Sequence, residues 1–191
     1  MSSIVYANKA DLKKIAQIHK EVYSKSHFTS LFSIELLIEF YSYYLNNGSS
    51  IILSLNDNQE IEGFIVFGVE IANKIQTFKS REKLNIWITA LKNPLVSIKK
   101  VTRNVYNSLF DKGSDFIETD YLILSIAVAT QRKGIGSLLL REVNKRGKEL
   151  NFQKIGLYVR VGNTMALNLY LKNGYKIISY LQGQYYMEKE N

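Results

Sequence analysis

The run Tyr121-Leu122-Ile123-Leu124-Ser125-Ile126-Ala127-Val128 is almost wholly apolar. After Ala129 and Thr130 comes Gln131-Arg132-Lys133-Gly134-Ile135-Gly136, and then Leu138, Leu139, Leu140 and Val143. An unbroken apolar run bounded by polar turns reads as a buried central strand. The glycines let the backbone turn tightly and approach a ligand. The apolar residues that follow repeat as one face of a helix. A strand, a glycine turn and a helix N-terminus together make a cradle for an anion such as a pyrophosphate, through unpaired amides and the positive end of the helix dipole. Arg132 and Lys133 add positive charge at its rim. The string lacks the Lys-Ser/Thr of a nucleotide-triphosphate loop and the third glycine of a dinucleotide fingerprint. A strand–helix turn with no ligand would have the same outline.

Working outward, Ile4 to Ala7 reads as a first strand. Asp11 is placed to cap a helix with Leu12, Ile15, Ile18 and Val22 on one face. Ser24 to Ser33 reads as a loop. Ser33 precedes a second helix, which ends at Asn46-Asn47-Gly48. Ile51 to Leu55 and Ile61 to Ile71 form a hairpin around Asn56-Asp57-Asn58-Gln59. Lys154 to Val161 is a strand, Asn163 caps a helix to about Lys172, and Tyr175 to Tyr180 and Gln184 to Lys189 are final strands. Between the third and fourth strands lies a segment with Ile75, Phe78, Trp87, Ile88 and Leu91. After Pro94 follow Ile98, Val101, Val105 and Leu109 at helical spacing. The expected architecture is α/β: one domain over 1–191, a central mixed β-sheet flanked by helices, and a helical insertion at about 73–115 before the fourth strand.

The length, 191 residues, suits one domain. There is no cysteine, which excludes disulfides, thiolate metal sites and a cysteine nucleophile. His19 and His27 are the two imidazoles, and their spacing suggests no metal site. No signal peptide and no membrane span are read, so a cytoplasmic protein is expected. The net charge is +8, and between Asn73 and Lys112 nine basic residues face only Glu82 and Asp111. Seven of the eight net charges therefore fall in that segment. Such a region attracts a phosphate-bearing ligand or surface, or serves as a solvated helical face.

Two strings together resemble the GCN5-related N-acetyltransferases. Gln131-Arg132-Lys133-Gly134-Ile135-Gly136 is similar to the Gln/Arg-x-x-Gly-x-Gly/Ala turn of that family. Asn163, Ala166, Tyr170, Gly174 and Tyr175 fit every fixed place of its Asn-x-x-Ala-x-x-x-Tyr-x-x-x-Gly-Phe/Tyr signature. The resemblance covers about Tyr121 to Tyr180, in a branch with helices between the third and fourth strands. It implies an enzyme that moves an acetyl group from acetyl-CoA, its cosubstrate, directly to a primary amine, with no metal. It implies that Ile126, Ala127 and Val128 hold the pantetheine arm on a strand that splays from its neighbour. The turn from Arg132 through Lys133, Gly134, Ile135 and Gly136 to Ser137 would wrap the pyrophosphate, Asn163 would touch the pantetheine, and Tyr170 would protonate the leaving thiolate.

Two departures stand out. Val128-Ala129-Thr130-Gln131 is two residues shorter than the family's loop and lacks its proline. Either the loop is trimmed, or the register slides and Leu124-Ser125-Ile126 line the arm; the trimmed loop is preferred. Tyr158 stands where some protein-acetylating members keep a glutamate, which leaves Asp120 as the candidate base. His27 lies on the loop that family members use for the acceptor, though a lone loop histidine also reads as a surface residue, and His19 reads as structural. The acceptor expected is a small molecule, such as an amino sugar or a nucleotide-linked amino sugar, with the basic insertion facing its phosphates. The alternatives are a protein N-terminal or lysine acetyltransferase, and a non-catalytic acyl-CoA-binding or basic-surface module. A monomer or homodimer is expected.

Overall fold

The computed structural model of the protein describes residues 2–24, 27–45, 48–94, 119–129, 134–181 and 183–191. Strand β1 (Ser3–Tyr6) leads through a short 3-10 turn (Lys9–Asp11) into α1 (Leu12–Val22). A second 3-10 turn (Phe28–Leu31) precedes α2 (Ile34–Ser42). Strands β2 (Ser49–Leu55) and β3 (Ile61–Gly68) form the expected hairpin. Helices α3 (Ile71–Arg81) and α4 (Lys83–Lys92) follow. The rest is β4 (Leu122–Val128), α5 (Ile135–Glu149), β5 (Lys154–Arg160), α6 (Thr164–Lys172), β6 (Lys176–Leu181) and β7 (Gln184–Glu190).

The seven strands form one sheet in the order β1-β2-β3-β4-β5-β7-β6. Every pairing is antiparallel except β4 with β5, so the sheet is mixed, as expected. Alternating side chains send apolar residues to both faces. One face packs Phe64 and Val66 against Ile15, Leu37 and Tyr41 of α1 and α2 and Phe78 of α3. The other packs Ile65, Leu157 and Met187 against Leu139 and Val143 of α5 and Tyr170 of α6.

Several boundaries differ from expectation, each for a local reason. The cap of the first helical turn is Asn8, not Asp11. The Asn8 side chain accepts the Ala10 amide, while Asp11 accepts the Asn8 amide in return at 2.8 Å, a reciprocal capping box. Strand β3 stops at Gly68 rather than Ile71. Gly68 has φ +146° and Glu70 φ 55°, which turns the chain so that Ile71 starts a helix. Ser33 does cap α2, accepting the Leu36 amide at 3.2 Å. Lys74, counted with the basic segment, is turned inward and donates to Ser49 Oγ at 2.7 Å, pinning α3 to β2. The helix expected after Pro94, including Lys99, Lys100 and Arg103, lies outside the described residues.

Candidate active site

Strand β4 is paired with β5 only at Leu122 and Ile123, opposite Gly156 and Leu157. That end is tight, because a β-carbon at Gly156 would lie 2.7 Å from Thr119 Cγ2 and 2.8 Å from Leu122 Cδ2. Beyond Ile123 the ladder to β5 stops, while β5 continues on β7 as far as Arg160. β4 itself stays paired with β3 out to Val128. The two parallel strands therefore form a wedge, closed at one end and open over Ser125 to Val128. This opening also explains why the central strand is less buried than its composition suggests, with only Ile123 and Ala127 fully covered.

A bulge marks the start of the opening. Val66 pairs with Ser125 and Phe67 with Ile123, so Leu124 has no opposite number on β3. An extra residue breaks the alternation of a strand. As a result Leu124 and Ser125, though consecutive, both line one cavity of about 570 Å³ on the α1 side of the sheet. Its walls also include Tyr23, His27 and Tyr41, and Trp87 of α4. The described part of the segment between β3 and β4 is thus a wall of this cavity, with Lys79 and Lys83 on it.

Tyr170 approaches from the opposite face. It sits in the last turns of α6, buried, with its ring 5.9 Å from that of Tyr175. Burial raises the pKa of its hydroxyl well above the ordinary tyrosine value, and proximity to Tyr23 raises it further. The hydroxyl therefore holds its proton at neutral pH. Tyr23, on α1, places its own hydroxyl 2.6 Å from Ser125 Oγ and 3.5 Å from the Ile126 carbonyl. Burial raises the Tyr23 pKa too, against the lowering effect of those hydrogen bonds. Tyr23 thus brings a hydroxyl to the opening of β4 from one face, while Tyr170 is packed in the core cluster of the other.

At the end of β4 the chain returns as α5. Gly134, at φ 76°, takes the left-handed conformation that glycine adopts freely, and its carbonyl accepts the Leu138 amide. A β-carbon there would meet nothing within 4 Å. The amides of Ile135, Gly136 and Ser137 are the first-turn donors that an α-helix leaves unpaired within itself, and no acidic residue sits in that turn. Ile135 is buried against the sheet at Gly63. A β-carbon at Gly136 would lie 2.9 Å from Leu169 Cδ2, so its bareness also serves the contact of α5 with α6. Ser137 Oγ accepts Asn173 Nδ2 at 3.0 Å, a second tie between those helices. Asn163 caps α6 by accepting the Ala166 amide at 3.2 Å. Arg132 and Lys133 lie outside the described residues. Asp120 is exposed just before β4, at the closed end of the wedge, and does not line the cavity. Tyr170 and Ile135 belong to the packed cluster that Ile126 and Val128 lean on, and Asp120 is not part of it.

The sequence reading gives Tyr23, Thr29 and Tyr41 no place at the site, takes His19 as structural and names Ser125 only in the alternative register of the arm. His19 and Tyr23 are four residues apart on α1, so their rings stack at 4.1 Å with a 3° interplanar angle. That spacing was an available signal. His19 Nδ1 lies 2.6 Å from the Tyr41 hydroxyl, and its Nε2 3.0 Å from Thr29 Oγ1. Burial above all, then His27 and Lys20, lower its pKa to about 3, so it is neutral. Among the described residues no group of three or more His, Cys, Asp or Glu could hold a metal, and no helix is long and apolar enough to cross a membrane.

Comparison with known proteins agrees with this geometry. Residues 109–175 match the Acetyltransferase (GNAT) family. The chain is similar to an N-alpha-acetyltransferase of Sulfurisphaera tokodaii, 43% identical over 72 residues, which are 36% of this chain and 42% of that one. The match thus spans less than half of the relative. A PaiA N-acetyltransferase from Thermoplasma acidophilum, solved with coenzyme A, shares the fold with a TM-score of 0.65 at 17% identity, covering 100% of this chain and 99% of that one. A putative acetyltransferase, YncA, from Salmonella typhimurium, solved with acetyl-CoA, gives 0.62 at 14% identity over 99% and 93%. A ribosomal-protein-alanine N-acetyltransferase from Brucella melitensis gives 0.61 at 16% identity over 99% and 99%. The chain thus shares the fold of these acetyltransferases, and its segment 109–175, which holds the end of β4 and the glycine turn, is similar to the GNAT acetyltransferase family.

Proposed function

We propose that the protein transfers an acetyl group from acetyl-CoA directly to a primary amine at the opening of β4. What supports this reading is the opening of β4 away from β5 beside the first turn of α5, with buried Tyr170 in the same packed cluster as Ile135, Ile126 and Val128. The residues fit the cosubstrate. The open edge over Ile126, Ala127 and Val128 offers backbone groups to the pantetheine amides. Gly134 to Ser137 offer amides and the positive helix end to the pyrophosphate, with Arg132 and Lys133 just before them. Asn163, at the start of α6 just after β5, is read as touching the pantetheine. When bound, acetyl-CoA supplies the activated acetyl thioester. The acceptor amine attacks the carbonyl carbon, and a backbone amide of β4 near Val128 stabilises the oxyanion. Tyr170 gives its proton to the departing sulfur and regains one from the amine nitrogen. No covalent intermediate on the enzyme is needed.

The acceptor is read as a small molecule, an amino sugar or a nucleotide-linked amino sugar. A cavity of about 570 Å³ has the size of a small-molecule site. Its walls of α3 and α4 narrow the approach a peptide would need, and Lys79 and Lys83 suit an anionic group on the acceptor. A second reading, acetylation of a protein N-terminus or lysine, is favoured by the N-alpha-acetyltransferase name of the relative from Sulfurisphaera tokodaii. A screen of acetyl transfer over hexosamines, nucleotide-linked amino sugars, amino acids, polyamines and peptides separates the two. Turnover of small amines but not peptides supports the first, and the reverse overturns it.

A further inference from the structure

Helix α4 turns its apolar side outward. In α3, just before it, the ordinary rule holds, with Ile71 and Phe78 buried. In α4 four large apolar residues, Leu84, Trp87, Ile88 and Leu91, are spaced i, i+3, i+4, i+7 and so share one stripe. They are 73%, 67%, 40% and 71% exposed. The other side of the helix points inward. Thr89 is buried, and Ile86 and Ala90 line the cavity. α4 is therefore a partition, with the cavity behind it and an apolar stripe in front. Single apolar residues scattered on a surface are ordinary, but four together on one helix face mark a contact surface.

The charges beside the stripe say what it contacts. Lys83 flanks it one turn before Trp87 and Lys92 one turn after Ile88, and both are exposed. Lys79 and Arg81, also exposed, stand at the end of α3. Between 79 and 92 the one acid is Glu82, which accepts Asn85 Nδ2 at 2.7 Å, away from the stripe. From this arrangement we propose that α4 docks the protein on the surface of an anionic phospholipid bilayer, with the helix axis in the plane of the interface. The leucines and Ile88 enter the acyl boundary, the Trp87 indole lies at the headgroup level, and the basic groups meet lipid phosphates. An exposed apolar stripe with tryptophan, edged by lysines, is the make-up of an interfacial amphipathic helix. Long basic side chains reach back to the headgroups along their own apolar stems. A second copy of the chain fits less well, because a two-fold contact through α4 sets the same basic groups against each other. A nucleic acid would use the basic groups and leave the leucines without a partner. Docking through α4 brings the wall of the cavity to the bilayer. The proposal stands on binding alone and does not rest on the acetyl-transfer reading.

Trp87 is the one tryptophan of the chain, so its emission reports on this face. It is followed as vesicles of phosphatidylglycerol and phosphatidylcholine in equal parts are added, and again with phosphatidylcholine alone. The mixed vesicles are expected to shift the emission to shorter wavelength and to carry the protein down on sedimentation, and the neutral vesicles to do so far less. Leu84→Gln with Leu91→Gln, at positions that do not line the cavity, is expected to weaken binding to mixed vesicles roughly 10-fold or more, since binding scales with buried apolar area. Both side chains are exposed, so the fold is expected to hold, and far-UV circular dichroism checks it. Arg81→Gln with Lys92→Gln, which alters no apolar residue, is expected to weaken the same binding several-fold, and added salt to weaken that of wild type. Emission unmoved by mixed vesicles would overturn the proposal. So would equal binding to neutral vesicles, or a leucine variant that binds as wild type does. Without vesicles, an emission already that of a shielded indole would show the stripe covered within the chain, and a dimer that the leucine changes dissolve would show it covered by a second copy. Either result overturns the proposal. Vesicle binding needs no acetyl transfer, so failure of the one leaves the other standing.

Discussion

Gly136 of α5 and Leu169 of α6 are in contact so close that a β-carbon at position 136 would lie 2.9 Å from Leu169 Cδ2. Leu169 precedes Tyr170, so this contact ties α6 to α5 one residue before the candidate acid. In an ordinary helix position, replacing glycine by alanine gains about 0.5–1 kcal/mol. Here Gly136→Ala is expected to lose about 1–3 kcal/mol, the cost of overpacking, and to lower turnover. Urea unfolding gives the sign, and a gain in stability would contradict the contact.

Phe78 anchors α3. Its ring lies 5.1 Å from Phe40, 6.0 Å from Phe32 and 5.9 Å from Tyr43, and it is buried. Phe78→Ala is expected to destabilise the fold by about 3–5 kcal/mol, the usual cost of emptying a buried aromatic site. If instead the loss stays below about 1 kcal/mol, α3 is not part of the core that the cavity leans on.

Lys79 and Lys83 are the described basic side chains on the cavity wall. For an anionic acceptor, Lys79→Gln with Lys83→Gln is expected to raise KM several-fold at low salt and to leave acetyl-CoA affinity unchanged. The effect should fade at high salt, since exposed charges are screened over about 10 Å at 0.1 M. Steady-state kinetics at two ionic strengths checks it. An unchanged KM at low salt would leave these lysines as a solvated face.

His19 gives a pH signature. Unfolded, a histidine takes a proton near pH ~6.5, whereas the folded chain refuses it until about pH 3. Between those values the unfolded chain binds more protons, so stability falls as pH falls through this window. One such group contributes at most about 1.4 kcal/mol per pH unit. Above the window its titration has no effect on stability. Urea unfolding of His19→Gln is expected to show a shallower slope than wild type between about pH 6 and 4; parallel curves would mean that His19 is not buried neutral.

Much of the fold was legible because its signals are local. Apolar periodicity, Ser33 as a cap and the polar turns place each described strand and helix in the observed order. The boundary at Gly68 was not legible, because the apolar run continues to Ile71 and only the backbone reversal at Gly68 and Glu70 breaks it. Of the candidate site, Tyr170 and the turn at Gly134 were named through a family pattern. Asn163 and Gly136 also lie in those patterns, yet their visible work is capping and packing. The wedge and the bulge at Leu124 arise from pairing between strands far apart in sequence, which no local spacing encodes. The contacts of His19 with Tyr41 and Thr29 likewise join two helices and a loop, and no local spacing encodes them.

The hydroxyl of Tyr170 is the proposed acid, and amine-dependent release of the CoA thiol in wild type and Tyr170→Phe is its sharpest test. Wild type is expected to release thiol only when an acceptor amine is present. Tyr170→Phe should bind acetyl-CoA as wild type does, by calorimetry, and turn over roughly 10²–10⁴-fold more slowly. Full activity in folded Tyr170→Phe would contradict the account and leave Tyr170 as a core residue of α6.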